Sequence, residues 1–111
     1  MIEFTVKKYF ADNLTVPVYM EFPEKPPDSF VVIQKKGSNR TNLIDTALFV
    51  ADSYGKTLYD AAKLNSQVVN VFDGLTELEN VSASERGSDY VFPDSQNKRY
   101  RYQAVCNITY Y

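Results

Sequence analysis

The chain has 111 residues, with 12 cationic and 14 anionic side chains, a net charge of −2, one cysteine and no histidine. Without histidine there is no Ser-His-Asp triad, Cys-His pair or imidazole metal site. With one cysteine there is no intrachain disulfide framework or zinc cluster of the Cys/His type. A chain of this size buries roughly two-thirds of its unfolded surface, enough for one core and one domain, 1–111.

Residues 1–13 place Ile2, Val6, Tyr9 and Phe10 at helical spacing, so a short amphipathic helix ending near Asn13 is predicted. Residues 15–22 are β-rich. Pro17 has no amide proton to donate, which makes this strand an edge or starts it there. Pro23 to Ser29 holds three prolines and reads as a stiff connector. Phe30 to Lys36 is the second strand. Gly37-Ser-Asn-Arg-Thr41 carries turn chemistry, and Asn42 to Ser53 reads as the third strand. Residues 56–73 form a second helix, with Leu58, Ala61, Ala62, Val68, Val69 and Phe72 on one stripe. Thr57 followed by Asp60 resembles a capping box, and Gly74 is a natural stop.

Two strands complete the pattern. One lies within 79–92. The other runs from Arg99 to Tyr110 with strict alternation: Tyr100, Tyr102, Ala104, Cys106, Ile108 and Tyr110 face one way, and Arg99, Arg101, Gln103 and Val105 the other. The expected fold is therefore α+β, in the order α-β-β-β-α-β-β. Hairpins predominate, so the sheet should be mostly antiparallel, with about five strands and two helices on one face.

The motifs with chemical content are few. Gly55-Lys56-Thr57 sits where a phosphate-binding loop would sit, but a full pattern needs Gly at position 50, which is Val. A turn glycine and a helix cap account for it. Arg99-Tyr100-Arg101-Tyr102 combines cations with stacking rings, as single-strand nucleic-acid binders do. Alternation puts the two Tyr opposite the two Arg, so no surface is expected to carry both. Lys35, Lys36 and Arg40 flank the predicted turn and read as a cationic hairpin tip. The pairs Glu77/Glu79 and Asp45/Asp52 read as solvated acids. Cys106 reads as a small buried hydrophobe. No catalytic residue, cofactor or metal site is identified. Four Asn-x-Ser/Thr triplets are taken as coincidental. No stretch nears the ~20 apolar residues of a membrane span. The first residues, Met-Ile-Glu-Phe-Thr-Val-Lys-Lys, do not read as a signal peptide.

The run Val16-Pro-Val-Tyr-Met-Glu-Phe-Pro-Glu-Lys-Pro-Pro-Asp-Ser-Phe-Val-Val-Ile33 resembles the opening of tail-terminator (tail-completion, head–tail joining) proteins of long-tailed phages and Gram-positive prophages. The likeness continues through Gly37, the third strand, the helix from Tyr54 to Asp73, and Arg101-Tyr102-Gln103-Ala104. It implies a non-catalytic virion subunit that assembles in the host cytoplasm into a hexameric ring. Such a ring caps the finished tail tube at the neck and joins it to the head connector, with DNA passing through its lumen. The implied partners are copies of the chain itself, the major tail tube protein and a head-closure protein. Loop residues of the family vary freely, so no contact residue is carried over. The alternation and the cationic tip mark Lys35, Lys36, Arg40, Arg99, Tyr100, Arg101, Tyr102 and Tyr110 as candidate contacts. A neck or head-closure protein, or a small nucleic-acid-binding or regulatory module, is the alternative. A carboxylate- or lysine-based enzyme is a third.

Overall fold

A computed structural model describes residues 1–111. Helix α1 spans Ile2–Asn13, strand β1 Val18–Tyr19, β2 Phe30–Thr41, β3 Ile44–Gly55, helix α2 Leu58–Gly74, β4 Val81–Val91 and β5 Tyr100–Tyr110. A single 3₁₀ turn, Leu75–Glu77, follows α2. The five strands form one sheet in the order β1-β2-β3-β5-β4. Every pairing is antiparallel except that of β1 with β2. The molecule measures 43 × 24 × 24 Å. Strands of 12 residues at ~3.3 Å each account for the long axis. No helix is long and apolar enough to cross a membrane.

Both helices cover the same face of the sheet. Helix α1 buries Ile2, Val6 and Phe10, a row at i, i+4 and i+8. Phe10 meets Phe72 of α2 edge-on, with ring centroids 4.8 Å apart. Alternate residues Ala47, Phe49 and Ala51 of β3 and Ala104, Cys106 and Ile108 of β5 complete this core. Helix α2 buries Ala61, Leu64, Asn65, Val68, Val71 and Phe72. The stripe read from the sequence is therefore shifted: Leu64 and Val71 belong to it, and Leu58 is exposed in the first turn. Thr57 caps α2, its side chain accepting from the Asp60 amide at 3.1 Å. Such a cap stabilises a helix by about 1 kcal/mol.

Two glycines sit at close approaches, one to backbone and one to a side-chain tip. A Cβ on Gly55 would lie 2.5 Å from the Ala61 nitrogen, so α2 can start this close to the end of β3 only over glycine. A Cβ on Gly74 would lie 2.8 Å from the Tyr9 hydroxyl, which donates to the Gly74 carbonyl at 2.9 Å. The α-helix ends at Gly74, where the sequence placed its stop, and a 3₁₀ turn follows; the glycine also admits the tyrosine that ties α1 to α2.

The predicted turn at Gly37–Thr41 is not a turn. These residues are strand, paired one by one with Leu48, Ala47, Thr46, Asp45 and Ile44. The chain reverses at Asn42 and Leu43, with φ of 52° and 66°. Positive φ at both central residues is what a two-residue hairpin needs to match strand twist. The Gly37 region is instead used by a bulge between Lys35 and Gly37. The predicted strand at 15–22 also shrinks to Val18–Tyr19, an edge strand that begins just after Pro17. The Pro17 carbonyl accepts from the Val31 amide at 3.0 Å.

Candidate functional site

The sheet face without helices carries the molecule's densest polar network, at the end where β3 and the β4–β5 loop meet. Alternation along β3 puts Asp52 and Tyr54 on this face, opposite Phe49 and Ala51. The same alternation on β5 brings Arg101 and Gln103 beside them, since Tyr54 pairs with Arg101 and Asp52 with Gln103. The loop after β4 is closed by two backbone hydrogen bonds between Asp94 and Arg99, each 3.0 Å. That closure aims the Asp94 carboxylate inward, where it is buried.

Arg101 sits at the centre. Its Nε donates to the Phe92 carbonyl at 2.8 Å and its Nη1 to the Tyr54 hydroxyl at 3.2 Å. The Asp52 and Asp94 carboxylates lie 3.9 and 3.8 Å from Nη1. Tyr54 donates to Asp94 at 3.1 Å, and Gln103 donates to Asp52 at 2.9 Å. Asn97 donates to Asp94 through both its amide, at 3.1 Å, and its side chain, at 2.8 Å. Rings frame the group: Tyr54 stacks on Phe30 with centroids 4.5 Å apart, and Phe22 meets both edge-on. The Arg101 guanidinium lies 4.3 Å from the Phe92 ring centroid. A shallow cleft of about 400 Å³ opens over Phe22, Asp52, Phe92, Asp94 and Arg101.

The two carboxylates are pushed in opposite directions. Burial raises Asp52 above the usual carboxylate range, and the Gln103 hydrogen bond and the Arg101 charge only partly offset it. Burial acts on Asp94 too, but hydrogen bonds from Asn97 and Tyr54 and the Arg101 charge carry it below that range. Burial pushes the Tyr54 phenol up to about 12. Each charged group here has a partner inside the network, so the arrangement acts as a clamp that holds the β4–β5 loop on the sheet.

The eight candidate contacts do not share one surface. Arg40 and Tyr110 lie at one end of the sheet, both beside Asp45, while Tyr100 pairs with Gly55 at the other. Lys35 is on the helix face, 3.2 Å from Glu3 of α1. Lys36 is the exposed bulge residue. Arg40 forks onto Asp45 at 2.7 and 2.8 Å. The cationic tip expected from sequence is therefore dispersed, because the turn lies at 42–43 and two of the three cations are paired. Arg99 donates to the Pro27 carbonyl at 2.8 Å and packs 5.5 Å from the Phe30 centroid, tying the proline connector down. Tyr100 is exposed, and Tyr102 and Tyr110 are half-buried.

The expectation that no surface carries both guanidinium groups and rings is also corrected. Tyr100 and Tyr102 do face away from the arginines, but Phe30, Tyr54 and Phe92 arrive from other segments and stack there. Asp52, Tyr54 and Asp94 were not singled out together by the sequence. The β3 alternation could have paired the first two, whereas nothing local points Asp94 at them. Cys106 is fully buried, 3.2 Å from the Ser84 hydroxyl, and burial pushes its thiol up.

No protein-family model matches the chain, and a search of curated proteins finds no similar sequence.

Proposed function

We propose that this chain is a structural subunit of a phage or prophage virion, a tail terminator that caps the finished tail tube as a hexameric ring and joins it to the head connector. The resemblance of Val16–Ile33 and of the later segments motivates this reading. The structural observation that carries it is the exposed apolar corner at the β2–β3 reversal. Leu43 is 87% exposed and Ile44 is 54% exposed. Leu43 is also held at positive φ, a conformation that costs a non-glycine residue roughly 1–2 kcal/mol. An apolar side chain kept at such a site, on a strained turn that Gly would relieve, fits a contact made with another protein. A heterologous ring uses two different patches on each copy, and the two sheet edges and this corner supply them.

The experiment combines the purified chain with tail tubes from the phage or prophage that carries the gene, viewed by negative stain. Sixfold rings at one end of the tubes are expected, and Leu43→Asp should reduce their number. Bare tube ends at every protein concentration would overturn the reading. Rings bound to the head connector and not to tubes would make the chain a neck subunit instead.

A further inference from the structure

Both edges of the sheet are protected over one half and open over the other. On the β2 edge, β1 covers only Val31 and Val32, and the bulge at Lys36 follows. Beyond it, Gly37 to Thr41 are exposed and have no strand on their outer side. On the β4 edge the pairing is broken between Arg86 and Asp89, a defect of the kind that discourages edge pairing. Ala83 to Arg86 remain regular and open.

The open halves lie at the same level. Gly37, Leu48, Asn107 and Glu85 form one rung across the sheet. Ser38, Ala47, Ile108 and Ser84 form the next, and Asn39, Thr46, Thr109 and Ala83 the third. Three successive antiparallel pairings also make β4 run opposite to β2. A second copy laid beside the first in the same orientation therefore presents its β2 antiparallel to the first copy's β4, in level register.

Charge agrees with this placement. Lys36 and Glu85 sit at the same level on opposite edges. Glu85 points to the helix-free face, because its rung partners Asn107 and Leu48 alternate with the core residues Cys106 and Phe49. Lys36 acts electrostatically on Asp52 of that same face. Both are exposed, and neither forms an ion pair within its own chain, whereas Lys35, Arg40 and Arg86 each do.

We infer that copies of this chain join edge to edge, residues 37–39 of one continuing the sheet against residues 83–85 of the next, with Lys36 of one copy paired to Glu85 of its neighbour. The joint is heterologous, so it propagates around a ring. It deepens the ring reading above and rests on it for the number of copies. A few rungs of Gly, Ser, Asn, Ala and Glu with no large apolar group make each joint weak alone, and closure of the ring multiplies it.

The test is charge exchange. Sedimentation velocity of the full chain over a wide concentration range measures self-association, and rings per tube end provide a second reading. Lys36→Glu and Glu85→Lys each place like charges across the joint and should weaken association roughly tenfold. The double variant Lys36→Glu/Glu85→Lys should return to within about twofold of the parent. Both positions are exposed, and circular dichroism confirms that the variants fold. Rings or oligomers indifferent to the single reversals, or a double variant as weak as the singles, would overturn the joint. A chain that stays monomeric alone and on tubes would overturn it as well. Association that obeys the exchange while tubes remain bare upholds the joint and overturns the tail reading.

Discussion

Replacing Arg101 by Ala probes the clamp on the helix-free face. The guanidinium is 16% exposed and stands between carboxylates at 3.8 and 3.9 Å whose own side chains are 7% and 12% exposed. At an effective dielectric near 20, each pair is worth about 4 kcal/mol before desolvation. Desolvation of the guanidinium offsets several kcal/mol of that. Truncation nevertheless leaves both acids facing each other without their cation. It also removes the donor to the Phe92 carbonyl and uncovers the Phe92 ring. The expected cost is about 3 kcal/mol at pH 7, a large share of the 5–15 kcal/mol typical of a domain. Arg101→Met keeps the aliphatic stem over the ring and should cost about 1 kcal/mol less, which separates packing from charge. Urea unfolding followed by tyrosine fluorescence measures both, with the slope m as a check that the denatured state is unchanged. The sign of the pH dependence is also set. Asp94 has a lowered folded value, so its contribution is present above the unfolded value of about 3.9 and is lost as pH falls through the folded one. The penalty for Arg101→Ala should shrink over that acid range. A cost under about 1 kcal/mol at pH 7, or a penalty that grows on acidification, would refute a clamp held by this charge.

Four further outcomes follow from the same geometry. Burial raises Asp52, so its ionised form opposes folding as pH rises above the unfolded value; Asp52→Asn should raise the urea midpoint at pH 7 while Asp94→Asn lowers it, and midpoints moving together would contradict the opposed environments. Tyr54, pushed up to about 12, should stay un-ionised well above the ordinary phenol value of about 10, so absorbance at 295 nm should show a late phase that Tyr54→Phe diminishes; the stability linked to it is present below pH ~10 and lost as pH rises toward 12. Ser53 is fully buried and its hydroxyl has no hydrogen-bond partner, so Ser53→Ala should stabilise the fold by about 1 kcal/mol, and a loss of stability would show that the hydroxyl is satisfied. Leu43→Gly relieves a positive φ at an exposed position and should stabilise the isolated chain by about 1 kcal/mol in thermal unfolding while reducing ring capping of tubes; unchanged capping would remove the corner from the contact.

Much of the fold was legible from local spacing. The α1 row Ile2, Val6 and Phe10, the cap at Thr57 and the alternation through β5 each depend on residues within a turn or a strand of one another, and each is found. The phase of α2 was less clear. Small and apolar residues occupy several of its rows, and contact with the sheet selects Leu64 and Val71 over Leu58. The misplaced turn has a similar cause. Gly-Ser-Asn-Arg-Thr has loop composition, but pairing with residues 44–48 holds it extended, and the reversal falls on a leucine that turn statistics disfavour.

The candidate surfaces divide along the same line. Alternation alone separates Tyr100 and Tyr102 from Arg99 and Arg101, because side chains on a strand point to opposite faces every second residue. Which rings and acids then meet the arginines depends on contacts far apart in the chain, such as Tyr54 with Asp94 across 40 residues and Arg99 with Pro27 across 72. Likewise the counts of charge and of tyrosine are properties of the sequence, but whether a lysine is already paired is not. Lys35 and Lys36 are neighbours in the chain. The bulge between β2's two halves turns the first toward Glu3 and leaves the second free at an open edge.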